Sequence, residues 1–224
     1  MALLTKEQWK KKQKKKRFII KLVLFFLLLI PLLLIGSTLL SHTRIFSPNK
    51  ISNITTLSGI SVEEMYLTPN KYSRPQDPLY EVKNIVVHYT GNPGTTAESN
   101  RNYFENLKTT QTTSASSHYV VGLEGEIIQC LPLNEISYAT NHRNNDTISI
   151  ETSHPDATGK FNDKTYNSLV ALVSNLVKEY KLDVDDVIRH FDVTGKKCPL
   201  YYVDNQNAWE TFKEDVASYM KNNF

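Results

Sequence analysis

Two histidines and one cysteine are the residues of this chain whose types and spacing could do metal chemistry. His190 and Cys198 lie eight residues apart, with Gly195 and two lysines between them, and His88 ends the short apolar segment 84–88. Two imidazoles and one thiolate suffice as protein ligands of a catalytic zinc ion, whose remaining position is left to water. These residues therefore predict a metal-dependent hydrolase.

His88 and Cys198 also have ordinary structural interpretations. His88 is compatible with a core histidine that makes one hydrogen bond, although ligands do bind at the carboxyl ends of strands in open α/β sheets. Cys198 is compatible with a buried apolar thiol. The polar loop around Cys198 favours the metal interpretation, because a thiolate gains electrostatic stabilisation from Lys196 and Lys197.

The elements that must position these residues alternate between strands and helices. Apolar runs predict strands over residues 82–88, 118–123, 126–131 and 147–152, the middle two joined by a hairpin turn at Glu124-Gly125. Helical spacing of apolar residues predicts helices over 95–108, 163–180 and 207–223, and a short helical turn over 61–66. This order predicts an α/β fold in which helices flank a central mixed β-sheet.

The N-terminal part of the chain has the pattern of a membrane protein. Residues 22–40 are nineteen consecutive residues without a charge, which is long enough to cross a bilayer as a helix. Residues 1–43 hold nine Lys and Arg and one acid, and such a cationic segment stays in the cytoplasm. The alternative is a secreted protein whose signal is cleaved, but the apolar run is longer than in typical secretory signals.

These patterns divide the chain into four predicted parts. They are a basic cytoplasmic segment (1–21), a transmembrane anchor (22–40), a stalk rich in Ser, Thr, Asn and Pro (41–79), and a globular domain (80–224). We expect a single-pass protein of the cell membrane with an extracellular globular domain. Residues 44–224 carry 17 basic and 22 acidic residues, so nothing indicates a nucleic-acid-binding face.

Taken together, these residues resemble the zinc-dependent N-acetylmuramoyl-L-alanine amidases, the type 2 amidase group that also includes the peptidoglycan recognition proteins. The resemblance covers residues 80–220 and depends on His88, Ser149-Ile150-Glu151, His190, and Cys198 with Lys196 two positions before it. It implies the fold of these amidases and a Zn²⁺ ion held by His88, His190 and Cys198. It also implies hydrolysis of the amide bond between N-acetylmuramic acid and L-alanine in peptidoglycan.

An enzyme of this kind needs a base and a group that stabilises negative charge. Glu151, at the end of a predicted strand, is the candidate base, and Lys196 is the candidate for stabilising the oxyanion. Their structural alternatives are a carboxylate at a strand edge and an exposed loop lysine. Some branches of the group use a tyrosine from the second strand, where this chain has Ser117. That role is absent here unless Tyr119 or Tyr89 reaches the site, so the chain is more similar to the endolysin and autolysin branch.

Two other functions compete with this hypothesis. One is a module that binds peptidoglycan without cleaving it, although recognition proteins of that type typically lack the cysteine ligand. The other is a thiol hydrolase with Cys198 as nucleophile and His190 or His88 as base.

The remaining polar candidates have less specific expected roles. We expect His118 to be structural or to line the cleft, and His142 either to contact the substrate or to be exposed. Asp192 would accept a hydrogen bond from a ligand histidine or cap its loop. Cys130 should be buried and reduced.

Overall fold

A six-stranded sheet forms the centre of the fold in the computed structural model, which describes residues 14–15, 57 and 59–224. The strands are β1 (Glu63–Glu64), β2 (Asn84–Val87), β3 (Tyr119–Val121), β4 (Ile127–Gln129), β5 (Thr147–Thr152) and β6 (Val187–Arg189). Their order in the sheet is β1-β4-β3-β5-β2-β6. Only β3 and β4 pair antiparallel within these described strands, so the predicted mixed sheet is confirmed.

Helices lie on both faces of this sheet. Within residues 59–224 the α-helices are α1 (Ala97–Thr110), α2 (Asp163–Tyr180), α3 (His190–Thr194), α4 (Leu200–Asp204) and α5 (Gln206–Asn223). Short 3₁₀ turns cover Asn141–Arg143 and Val184–Asp186. Side-chain caps decide where two long helices begin: Thr96 accepts from the amide of Ser99, and Asn162 accepts from the amide of Thr165. The predicted helices over 95–108, 163–180 and 207–223 are confirmed, the first displaced by two residues.

Alternation along the strands divides the core between the two faces of the sheet. On one face, Ile85, Val87 and Ile150 pack with the buried sides of α2 and α5. On the other face, Val120 and Cys130 pack with residues of α1. Cys130 is fully buried and is a free cysteine, as expected. The sheet is therefore the middle layer, and its strand ends are held rigidly from both sides.

The packed domain begins earlier than the predicted boundary at residue 80. Residues 63–64 form edge strand β1 beside β4, and Leu57, Leu67 and Leu79 are buried. The predicted helical turn over 61–66 is wrong, because this segment is extended. Isolated apolar residues with irregular spacing carry these contacts, so no periodic pattern marked them in the sequence.

The predicted anchor at residues 22–40 lies outside the described residues, as does the basic segment 1–21 except residues 14–15. Within the described part of the chain, no helix combines the length and the apolar character that crossing a membrane requires.

The hairpin between β3 and β4 turns at a position that only glycine fits. Gly125 has a φ of +83°, and an added Cβ would lie 2.8 Å from Ser168 Oγ and 3.0 Å from Lys164 O on α2. We expect Gly125→Ala to lower the free energy of unfolding by about 1–3 kcal/mol, as measured by urea denaturation. Gly195→Ala is the control, since Gly195 shares a positive φ of +76° but its Cβ would meet no described atom within 4 Å. If both variants lowered the free energy of unfolding equally, the loss in Gly125→Ala would not come from a clash with α2.

Glu105 on α1 ties the segment after β1 to the helix. Its carboxylate accepts hydrogen bonds from Thr68 N at 3.0 Å and Thr68 Oγ1 at 2.6 Å, and it pairs with Lys108 and with Arg101. Burial alone would raise the pKa of Glu105, but these hydrogen bonds and charges lower it to about 2. The ionised carboxylate therefore stabilises the fold above its unfolded-state pKa, and this contribution is lost as the pH falls towards 2.

We expect Glu105→Gln to lower the free energy of unfolding by about 2–3 kcal/mol at pH 7. The difference from wild type should shrink as the pH falls from about 4.5 to about 2, because the wild-type carboxylate becomes protonated over that range. Urea denaturation across this pH range measures the effect, with the exposed Glu214→Gln on α5 as control. A difference that does not depend on pH would rule out the ionised carboxylate as its source.

Candidate active site

Three adjacent strands, β5, β2 and β6, bring Glu151, His88 and His190 side by side at their carboxyl ends. Val87 on β2 pairs with Ile150 on β5 and with Arg189 on β6. One residue further along, the same registers set His88 between Glu151 and His190. The two imidazole centroids are 4.6 Å apart, and His88 Nδ1 lies 3.9 Å from Glu151 Oε1. Parallel pairing thus brings together residues that are far apart in the chain.

The loop after β6 returns Cys198 to the two histidines. Helix α3 begins at His190 and ends at Thr194, and the left-handed φ of +76° at the next residue, Gly195, reverses the chain. The amide of Phe191 then donates to Cys198 O at 2.9 Å, and the amide of Tyr89 donates to the Cys198 sulfur. As a result, one potential ligand atom from each of His88, His190 and Cys198 lies within 4.8 Å of the others.

A buried arginine holds the base of this loop. Arg189 donates to both oxygens of Asp192, to Tyr202 O at 2.9 Å and to Gln206 Oε1 at 2.8 Å. The amide of Arg189 also donates to Asp192, at 2.8 Å. Asp192 therefore caps its own loop, which was one of the two roles expected for it.

Burial sets the protonation of the three clustered residues. Burial and the charges of His190 and Lys196 hold the pKa of His88 well below 6.5, and burial lowers the pKa of His190 as well. Both imidazoles are therefore neutral and can offer a lone pair. Burial raises the pKa of the Cys198 thiol to about 12, so the thiolate needs a nearby cation.

The donor set fits a zinc ion. His88 Nε2 is buried and, among the described residues, has no hydrogen-bond partner. An orphaned imidazole nitrogen in the interior costs free energy unless something binds it. Two neutral imidazoles and one sulfur are ligands that Zn²⁺ prefers, so His88, His190 and Cys198 could hold this metal.

Glu151 lies at the cluster, and the charge of Lys196 acts on it. The Glu151 side chain is only 19% exposed, and burial raises its pKa to about 8 against the opposing charge of Lys196. The same lysine lowers the pKa of His88, His190 and Cys198, so its charge acts on the whole cluster. Lys197 instead pairs with Asp204 at 2.6 Å. The carboxylate is thus not a solvent-exposed strand-edge charge. Of the two lysines, Lys196 is the one whose charge shifts the pKa values of the clustered groups.

The other histidines do not join the ligand cluster. His118 is fully buried and has both ring nitrogens engaged, one by the Ser149 amide at 3.1 Å and the other by Glu135 O at 2.9 Å. It is therefore structural, one of its two expected roles. His142 is exposed. His154 is buried against the ring of Tyr89, with a centroid distance of 5.0 Å.

Tyr89, rather than Tyr119, is the tyrosine at the site. The amide of Tyr89 donates to the Cys198 sulfur. Burial, Cys198 and Glu151 together raise the pKa of the Tyr89 hydroxyl. Tyr119 is fully buried within the core beneath α2 and α5. Tyr89 follows His88 directly, and that adjacency was the available signal in the sequence.

Comparison with known proteins identifies the family. Residues 78–200 match the sequence model of the Amidase_2 family, described as N-acetylmuramoyl-L-alanine amidase. The chain belongs to this amidase family. The matched range contains His88, Glu151, His190, Lys196 and Cys198, while β1 and α5 lie outside it.

Two named relatives of this chain come from Bacillus. It is 33% identical over 175 residues to the N-acetylmuramoyl-L-alanine amidase BlyA of Bacillus subtilis, covering 69% of this chain and 46% of BlyA. It is 32% identical over 176 residues to the N-acetylmuramoyl-L-alanine amidase CwlL of Bacillus licheniformis, covering 73% of this chain and 48% of CwlL. The chain thus spans about half the length of these relatives.

The solved catalytic domain of XlyA, an amidase of Bacillus subtilis, has the same fold. It superposes with a TM-score of 0.60 at 27% sequence identity, covering 70% of this chain and 99% of that domain. The central mixed sheet flanked by helices is therefore the fold of an amidase catalytic domain.

Proposed function

We propose that this chain is a zinc-dependent amidase that hydrolyses the bond between N-acetylmuramic acid and L-alanine in peptidoglycan. The observation that carries the proposal is the convergence of His88, His190 and Cys198 within 4.8 Å, beside Glu151, in a member of this family. Relatives named as N-acetylmuramoyl-L-alanine amidases support the choice of substrate.

The side chains at the strand ends account for the chemistry. A bound zinc ion would activate water and polarise the substrate carbonyl. His88 and His190, as neutral imidazoles, and Cys198, as a thiolate, would hold it. Glu151 accepts the proton of the attacking water at its carboxylate and delivers it to the nitrogen of the departing L-alanine. Lys196 stabilises the negative charge that develops on the carbonyl oxygen.

The ionisation of Glu151 is consistent with this role. A base must be ionised to accept a proton, and burial opposes ionisation here. Lys196 favours the ionised form, and a dication held by the neighbouring ligands would favour it further. Glu151 Oε2 is buried and, in the part of the chain that the structure describes, has no hydrogen-bond partner, so it is available to accept the proton.

A thiol hydrolase is a weaker candidate. A nucleophilic cysteine is activated by a lowered pKa and by partial exposure. Cys198 is only 2% exposed, and burial raises the pKa of its thiol to about 12. These properties favour a sulfur that a metal ion deprotonates.

We also propose that residues 22–40 anchor the protein in the cell membrane, with the amidase domain outside and facing the cell wall. The nineteen uncharged residues and the basic residues before them support this topology. An amidase held in this way would act on peptidoglycan close to the membrane surface. Protease treatment of intact spheroplasts should degrade the domain, and protection of the domain would contradict this orientation.

The test of the proposed activity is digestion of purified cell wall by the full chain in detergent. Mass spectrometry should find free lactyl ends on muramic acid together with new L-alanine amino termini. A chelator should abolish the release, and added zinc should restore it. Undiminished release after removal of the metal would overturn the zinc mechanism, and products cleaved at another bond would overturn the proposed specificity.

A further inference from the structure

The loop between β4 and β5 reaches one of the clustered histidines. Asn141 Oδ1, at the start of the 3₁₀ turn Asn141–Arg143, lies 3.0 Å from His190 Nε2. An amide carbonyl oxygen can only accept a hydrogen bond, so Nε2 must carry the proton. A neutral imidazole has a single ring proton, which leaves His190 Nδ1 with the free lone pair.

We propose that Asn141 is a positioning residue, which fixes the tautomer and the ring orientation of His190 so that Nδ1 faces the metal. This inference rests on the proposed zinc site. Ligand histidines commonly donate their second ring nitrogen to a fixed acceptor, and that acceptor sets both the tautomer and the ring orientation. Here a side-chain amide supplies the acceptor.

The backbone at Asn141 suits this task. Its φ is +55°, in the left-handed region that asparagine tolerates better than most residues. The Arg143 amide donates to Thr140 O at 3.0 Å, so a backbone hydrogen bond closes the turn across Asn141. The backbone of the turn is therefore fixed by its own hydrogen bond, and Asn141 is presented at a defined place.

The same loop is tied to the strands that carry the other site residues. Arg143 Nη2 donates to Asn84 Oδ1 at 2.6 Å, and Asn84 begins β2, the strand that leads to His88. Thr147 Oγ1, at the start of β5, donates to Arg143 O at 2.8 Å, and β5 carries Glu151. These hydrogen bonds therefore fix the loop, and with it Asn141, relative to the sheet.

The two histidines differ in how they are oriented. His88 lies between two strand neighbours and, among the described residues, has no hydrogen-bond partner at Nε2. His190 opens a short helix after the edge strand β6 and has a neighbouring strand on one side only. The orientation of His190 is the one that needs a side-chain acceptor.

Three variants of the full chain in detergent test this inference. Asn141→Gly removes the acceptor but suits the positive φ, and Asn141→Asp keeps an acceptor oxygen at the same place. Asn144→Ala is the control, because it breaks the hydrogen bond to Thr140 in the same loop without touching His190. The zinc dissociation constant is measured by competition with a chromophoric chelator. The ring proton of His190 is located by ¹⁵N–¹H NMR of the zinc-loaded protein.

We expect Asn141→Gly to raise the zinc dissociation constant about 10–100-fold. Asn141→Asp should rescue zinc binding, and Asn144→Ala should leave it unchanged even if thermal stability falls. In the wild type, the NMR proton should lie on His190 Nε2.

Three results would overturn the inference while leaving the zinc site intact. The first is an Asn141→Gly variant that binds zinc as tightly as the wild type. The second is an Asn144→Ala variant that loses as much zinc affinity as Asn141→Gly. The third is a wild-type ring proton on Nδ1 of His190. A wild-type chain that binds no zinc would instead overturn the proposed function, and this inference with it.

Discussion

Replacing Glu151 with glutamine should lower the turnover of purified peptidoglycan by about 10²–10⁴-fold while the protein keeps its zinc. The amide has nearly the shape of the carboxylate but cannot accept the proton of the attacking water. Because the side chain is only 19% exposed and adjoins His88, bulk water is a poor substitute for it. Product release from cell wall and metal content are the two measurements.

Glu124→Gln is a matched control for this variant. Glu124 lies at the β3–β4 turn, is 76% exposed and pairs with Lys164 on α2. The Glu124→Gln variant should therefore keep full activity. Full activity in Glu151→Gln would show that the base is another group. Loss of metal in Glu151→Gln would show that the carboxylate helps to hold the ion.

Replacing Cys198 with serine should raise the zinc dissociation constant by more than about 100-fold. Removing a residue that only hydrogen-bonds to a metal ligand typically costs about 10–100-fold in affinity, and losing a ligand itself should cost more. A hydroxyl is a far poorer zinc ligand than a thiolate, and burial would oppose its ionisation even more strongly than it opposes that of the thiol. Amidase activity should fall together with the metal content. Both are measured after equilibration with a weak chelator.

The chain provides its own control in the second cysteine. Cys130 is fully buried in the apolar cluster beneath α1 and is not part of the ligand group. Cys130→Ala should lower stability, since it leaves a small cavity, but the protein should retain zinc and activity. If Cys198→Ser kept its zinc but lost activity, and chelators did not inhibit the wild type, a thiol mechanism would replace the proposed one.

Local patterns explain why much of the fold was predictable. The amphipathic spacing of residues 163–180 predicted α2 with its observed bounds, because one stripe of that helix packs on the sheet. The apolar run 147–152 predicted β5, because a strand in the middle of the sheet is covered on both faces. The edge strand β1 carries no such pattern, since both of its residues are exposed. Its place in the sheet comes from hydrogen bonds that do not depend on side-chain type.

Residue chemistry was readable from the chain, and the resemblance to the amidases also predicted that His88, His190 and Cys198 converge, as they do. The contacts that surround these three residues were not predictable. The sequence by itself determined that zinc-dependent hydrolysis was possible. It did so through the residue types of His88, Glu151, His190, Lys196 and Cys198 and the short spacing of the last three. Only the tertiary structure decided that Asn141 contacts His190, and that Tyr89 rather than Tyr119 contacts Cys198. The physical reason is that strand register and loop closure depend on packing between segments distant in sequence, and no local pattern encodes that packing.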